Sequence, residues 1–101
     1  MTLDEALDIL WENKDWQNRT RAETFLYATT TEPGTLHEWD GAHPVEENTV
    51  ERHVPAGTRV LVTMISRFGD VGIRARNLVP ACHGYDARVS PKKLTDWSRT
   101  P

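Results

Sequence analysis

"TRVLVTMISRFGDVGIRARN", residues 58–77, contains two apolar runs parted by a glycine-bearing turn. In the first run Val60, Val62 and Met64 alternate with Leu61, Thr63 and Ile65. Side chains on a strand alternate between faces, so both faces of this run are largely apolar, as in a central strand. Phe68-Gly69-Asp70-Val71-Gly72 supplies a tight reversal. Beyond it Val71, Ile73 and Ala75 share one phase, whereas Arg74 and Arg76 share the other. The pattern predicts two strands with an inward apolar side and an outward arginine pair.

Downstream, "VPACHG" reads as a connection and "YDARV" as a strand, with Tyr85, Ala87 and Val89 set against Asp86 and Arg88. In "SPKKLTDW", Ser90 precedes Pro91, and Leu94 and Trp97 stand three apart, which predicts a short 3₁₀ or helical turn. Upstream, "AETFLYATTT" has strand composition, with Phe25 and Tyr27 on one face and Leu26 and Ala28 on the other. "EPGT", residues 32–35, predicts a turn in which Pro33 fixes φ and Gly34 takes positive φ. Residues 36–49 are polar and predict a loop with at most a short strand at Leu36–Trp39. "TVERHV" reads as a strand and "PAG" as a turn.

The N-terminus is helical in pattern. Thr2 and Glu5 form a capping box, in which the hydroxyl accepts from the Glu5 amide and the carboxylate reaches back. Leu3, Ala6, Leu7, Leu10 and Trp11 follow the spacing of one apolar face, with Asp8 and Glu12 away from it. A helix over about residues 3–13 precedes a β-rich part over about 22–97, separated by the polar "DWQNRTR". The fold class expected is α+β: one domain, residues 1–101, with an N-terminal amphipathic helix packed on a small, strongly bent antiparallel sheet or barrel.

"AGTRVLV" leading to "GYDARVSPKKL", with the turn Val89-Ser90-Pro91-Lys92-Lys93-Leu94, resembles the strand order and closing turn of SH3-like small β-barrels. The resemblance covers residues 55–97 and implies architecture only. The acidic-aromatic first loop and paired tryptophans of that family's peptide-binding members have no counterpart at the matching places.

Composition narrows the function classes. The net charge of -3 divides unevenly: residues 1–54 hold four Lys/Arg against twelve Asp/Glu, and residues 55–101 hold eight against three. An acidic half thus joins a basic half, suited to neutralising each other or to facing different partners. No apolar run approaches the roughly 20 residues of a membrane helix. "MTLDEALDIL" is acidic where a secretory signal is basic, and Cys82 is the single cysteine. The expected location is the cytoplasm.

Catalytic signatures are weak. His37, Glu38, Asp40 and His43 lie in one polar segment, His53 follows, and Cys82 and His83 are adjacent. These spacings match no established metal-ligand pattern, and no metal or cofactor is expected. Ser66 and Ser90 lack the glycine elbow of hydrolases, and "FGDVGI" joins strands instead of opening a helix as phosphate loops do. The chain is therefore expected not to be an enzyme; a small metal-dependent or cysteine enzyme is the third-ranked reading.

Binding is the leading expectation: a non-catalytic adaptor, inhibitor or accessory protein of the phage or mobile-element type. Trp39 between Glu38 and Asp40 offers a tryptophan within a polar rim, and Arg74 with Arg76 offers a second patch for a protein partner. Trp16 and Trp97 are further anchors. The alternative is nucleic acid, gripped by Arg67, Arg74, Arg76, Arg88, Lys92 and Lys93 with Phe68, Tyr85 and Trp97 for stacking. Against it stand an acidic pI, aromatics on inward phases, and Asp70 and Asp86 within the strip. Outward arginines paired with acids of the same chain, Glu46 to Glu51 being candidates, are the plainest account. The chain is expected to act as a monomer or a homodimer, since a small sheet has edges.

Overall fold

The computed structural model describes residues 1–14, 25–39, 41–75, 78 and 86–101. Trp16, Asp40, Arg76, Cys82, His83 and Tyr85 lie outside the described residues, and with them the expectations placed on those side chains. Among the described residues, one helix, α1 (Leu3–Glu12), is followed by β1 (Leu26–Thr30), β2 (Gly34–Trp39), β3 (Thr49–Val54), β4 (Arg59–Ile65), β5 (Val71–Arg74), β6 (Ala87–Val89) and β7 (Leu94–Ser98). The class is α+β, as the sequence predicts. Every strand pairing among the described residues is antiparallel.

Five strands form one sheet in the order β6-β5-β4-β1-β7, and β2 with β3 forms a second, two-stranded ladder. β4 is central, and its doubly apolar sequence explains why. Val60 and Val62 enter the main core with Leu26, Ala28, Val71 and Ile73, while Leu61 turns the other way to join Phe25 and Tyr27. The Tyr27 hydroxyl donates to the Leu78 carbonyl at 2.7 Å, so the polar end of this half-core is satisfied. A register shift between Val62 and Met64 returns Ile65 to the main core.

α1 closes the main core over β4 and β7. Its capping box is formed as read: the Glu5 amide donates to Thr2 Oγ1 and the Thr2 amide to Glu5 Oε1, each at 3.1 Å. Asn13 ends the helix, its side-chain amide donating to the Ile9 carbonyl at 2.8 Å. Ala6 and Leu10 are buried, with Leu3, Leu7 and Ile9 packed beside them. Trp11 is not on this face. It is 41% exposed, with the Lys14 ammonium 5.5 Å from its ring. At about 100° per residue, a face centred on Ala6 and Leu10 takes in Ile9 and leaves Trp11 at the margin.

Two local expectations are corrected. Gly34 does not take positive φ; it starts β2, and among the described residues the positive-φ glycines are Gly41, Gly57 and Gly69. Gly69, at φ 89, makes the β4–β5 reversal, where its amide donates to the Ser66 carbonyl at 3.0 Å. The other correction concerns Leu94 and Trp97. A 3₁₀ turn is present at Pro91–Lys93, capped by Ser90, but both apolar residues belong to β7. Asp96 sits at φ 52 and the β1–β7 register shifts between Tyr27 and Thr29. That bulge lets residues three apart face one core on a strand.

Candidate functional site

At residues 34–54 both expected strands are present, and the structure adds their pairing. The short strand expected at Leu36–Trp39 and the strand expected at "TVERHV" join as a hairpin, with β2 and β3 paired without interruption from Gly34↔Val54 to Trp39↔Thr49. Its connection is fixed locally: Asn48 Nδ2 donates to the Pro44 carbonyl at 2.8 Å, and Thr49 Oγ1 to the Val45 carbonyl at 2.6 Å. Within β2 and β3 only Leu36 and Val54 are buried, so the ladder lacks the apolar alternation that reveals half-buried strands. Those two side chains seat the base of the hairpin on the main core.

Strand alternation divides the remaining side chains. Thr35, His37 and Trp39 share a face with Thr49, Glu51 and His53. Thr35 Oγ1 lies 3.1 Å from His53 Nδ1 on that face. Trp39 is 42% exposed; its indole N–H donates to the Ala42 carbonyl at 2.7 Å, and its ring centroid is 5.4 Å from that of His43. The opposite face carries Glu38, Val50 and Arg52, with Arg52 Nη1 donating to Glu38 Oε1 at 3.0 Å. Glu38 is thus next to Trp39 in sequence but across the strand from it in space. The arrangement adds Val50, 65% exposed, and Val45, 42% exposed, at the same end of the hairpin as Trp39.

Between the hairpin base and the main sheet lies a cleft of about 260 Å³, walled by Leu36, Val54, Ile73, Ala87, Val89 and Leu94. At its rim Lys93 Nζ meets Glu32 Oε1 at 2.9 Å. Lys93 reaches Glu32 because the Thr31 amide donates to the Lys93 carbonyl at 3.0 Å.

Of the cations read as a strip, Arg88, Arg67 and Lys93 are each engaged locally. Arg88 Nε and Nη2 each donate to the Asp70 carboxylate at 2.9 Å. Ser66 Oγ donates to the same carboxylate. Those hydrogen bonds, Arg88 first, hold the Asp70 carboxyl below the usual range. Asp70 and Glu32 are thus acids of the same chain that pair with Arg88 and Lys93. Asp70 adjoins Val71, whose partner Val89 adjoins Arg88, so the ladder itself brings the pair together. Arg74 is half-buried at the end of β5, and Lys92 is exposed on the 3₁₀ turn. Arg67 stacks on Phe68, its guanidinium carbon 4.9 Å from the ring centroid. Phe68 is 75% exposed, against the inward phase expected for it, because it stands at the tip of a turn. Trp97 is buried, as its phase predicts.

Among the described residues no three His, Cys, Asp or Glu side chains gather as a metal site, and no helix is long and apolar enough to cross a membrane. What these residues present is surface: a hairpin with apolar side chains at one end, and an arginine–phenylalanine tip on the main sheet. No protein-family model, curated protein or solved structure matches the chain.

Proposed function

We propose that this chain works by binding another protein, as an adaptor, inhibitor or accessory protein, and not by catalysis. The observation that carries the reading is that one end of the β2–β3 hairpin exposes apolar side chains on both faces, Trp39 on one and Val50 on the other, with Val45 in the connection. A tryptophan whose N–H is already satisfied by Ala42 contributes apolar area to an interface with no further hydrogen-bond requirement. The 3₁₀ turn at Pro91–Lys93 leading into β7, beside β1, supports an SH3-like reading of the main sheet. The lone cysteine supports a cytoplasmic setting.

The test is capture of a partner from the native cell by the full chain and by the double variant Trp39→Ala, Val50→Ser. One defined partner retained by the wild type and lost by the folded variant supports the reading. Equal retention by both removes the hairpin end as the docking element.

A second reading, nucleic acid, rests on one observation: exposed Phe68 with Arg67 stacked on it provides a platform for an unpaired base. Titration of single-stranded DNA and RNA at low salt separates the two. Affinity that falls steeply with salt and with Phe68→Ala favours this second reading.

A further inference from the structure

The backbone polarity of β3 follows from one hydrogen bond. The His37 amide donates to the Asp86 carbonyl at 3.0 Å, so it points away from β3. In an antiparallel ladder the N–H and C=O of one residue point to the same side, and the side alternates along the strand. Leu36 and Glu38 therefore turn their backbone groups toward β3, where their partners are Arg52 and Val50. It follows that Thr49, Glu51 and His53 direct N–H and C=O outward. Among the described residues no strand lies along that edge.

Natural sheets blunt their edges with bulges, prolines or inward charges. β7, at the end of the five-stranded sheet, has its bulge at Asp96. β3 has none: its six residues pair in unbroken register, and Pro55 comes only after the strand has ended. Among the described residues, the charge around this edge that lacks an ion-pair partner has one sign. Glu46, Glu47 and Glu51 are exposed and have no cationic partner among the described residues, while Arg52 is taken by Glu38. A second copy of the chain brings the same acids to the edge. A basic segment brings their complement.

We infer that the outer edge of β3 is a strand-addition site for an extended basic segment of a partner protein. Lysine or arginine would alternate there with apolar residues. The inference rests on the protein-binding reading and specifies its partner. Backbone bonds form at Thr49, Glu51 and His53; a basic side chain opposite Glu51 meets its carboxylate, and an apolar neighbour on the other face covers Val50.

The experiment titrates the full-length protein with a hexapeptide of alternating valine and lysine, and with its valine–glutamate counterpart, following backbone amide resonances. The valine–lysine peptide is expected to shift and saturate the amides of Thr49, Glu51 and His53. Glu51→Pro removes an outward N–H that the hairpin does not use and is expected to weaken binding about tenfold. Glu51→Lys leaves the backbone intact and is expected to exchange the preference toward the valine–glutamate peptide. The inference is overturned if the valine–lysine peptide moves no β3 amide, or if the two peptides bind alike. It is equally overturned if sedimentation shows a dimer that Glu51→Pro abolishes, since the edge then receives a second copy. A native partner retained by Glu51→Pro but lost by the Trp39→Ala, Val50→Ser variant sinks this inference alone and leaves the protein-binding reading standing.

Discussion

Arg88 on β6 grips Asp70 in the β4–β5 turn with two parallel hydrogen bonds of 2.9 Å. Ser66 donates to the same carboxylate from the other side of the turn. The pair staples the reversal to the strand beyond it, and it withdraws one arginine from any surface that binds phosphate.

The first prediction concerns acid. Asp70 titrates below its ordinary value in the folded chain because Arg88, then Ser66, favour its charged form. A depressed folded pKa adds stability that is present above the unfolded value of about 3.9 and is lost as pH falls through the folded one. Asp70→Asn is therefore expected to melt earlier than wild type at neutral pH. The gap in Tm is expected to close below the ordinary carboxylate range. A gap unchanged in acid would show that the carboxylate's charge is not what matters.

Arg59 ties the C-terminal residues to the sheet. Its guanidinium donates to Thr29 Oγ1 at 3.1 Å, to the Asp96 carbonyl at 2.6 Å and to the Thr100 carbonyl at 2.8 Å, and also bonds Ser98. Arg59→Met keeps the stem and removes these bonds. It is expected to cost about 1–3 kcal/mol in denaturant titration. Amide exchange in β7 is expected to accelerate more than in β4.

Leu36 is the buried residue of β2 and is 1% exposed. Leu36→Ala is expected to cost about 2–5 kcal/mol, the range for emptying a core leucine site. The His37 amide, which bonds to Asp86 across the seam, is expected to lose exchange protection before amides within β4 do. Uniform loss through the whole chain would mean that hairpin and sheet open together.

At the helix start, Glu5 also titrates below its ordinary value, through its bonds with the Thr2 backbone and side chain. Thr2→Ala is expected to raise the Glu5 pKa toward the usual range and to speed exchange of the Glu5 amide, both read by NMR titration.

The parts legible in the sequence are those where burial writes a pattern. Leu61 against Val60 and Val62 announces a strand with two apolar faces, and β4 lies at the centre of its sheet. The capping box of Thr2 and Glu5 needs only local spacing, and it forms. The hairpin is legible only as two separate short strands: its ladder rests on backbone bonds, which any side chain permits, and most of its residues face solvent. Leu94 and Trp97 carry a spacing that means a helical turn by default and a bulge here. The Arg88–Asp70 pair spans 18 residues, so neither partner marks the other. The candidate site was legible as Trp39 alone. Its strand neighbours, and the direction of β3's backbone, depend on the contact between His37 and Asp86.

The left-handed Asp96 has a consequence for assembly. A filament built by joining strand to strand requires every molecule to offer two receptive borders, one at each end. The kinked β7 blunts one such border, which works against growth along that strand. Deleting one residue at 95–96 keeps Leu94 and Trp97 on one side of a straightened strand. That shortened chain would be the form in which polymerisation becomes a hazard.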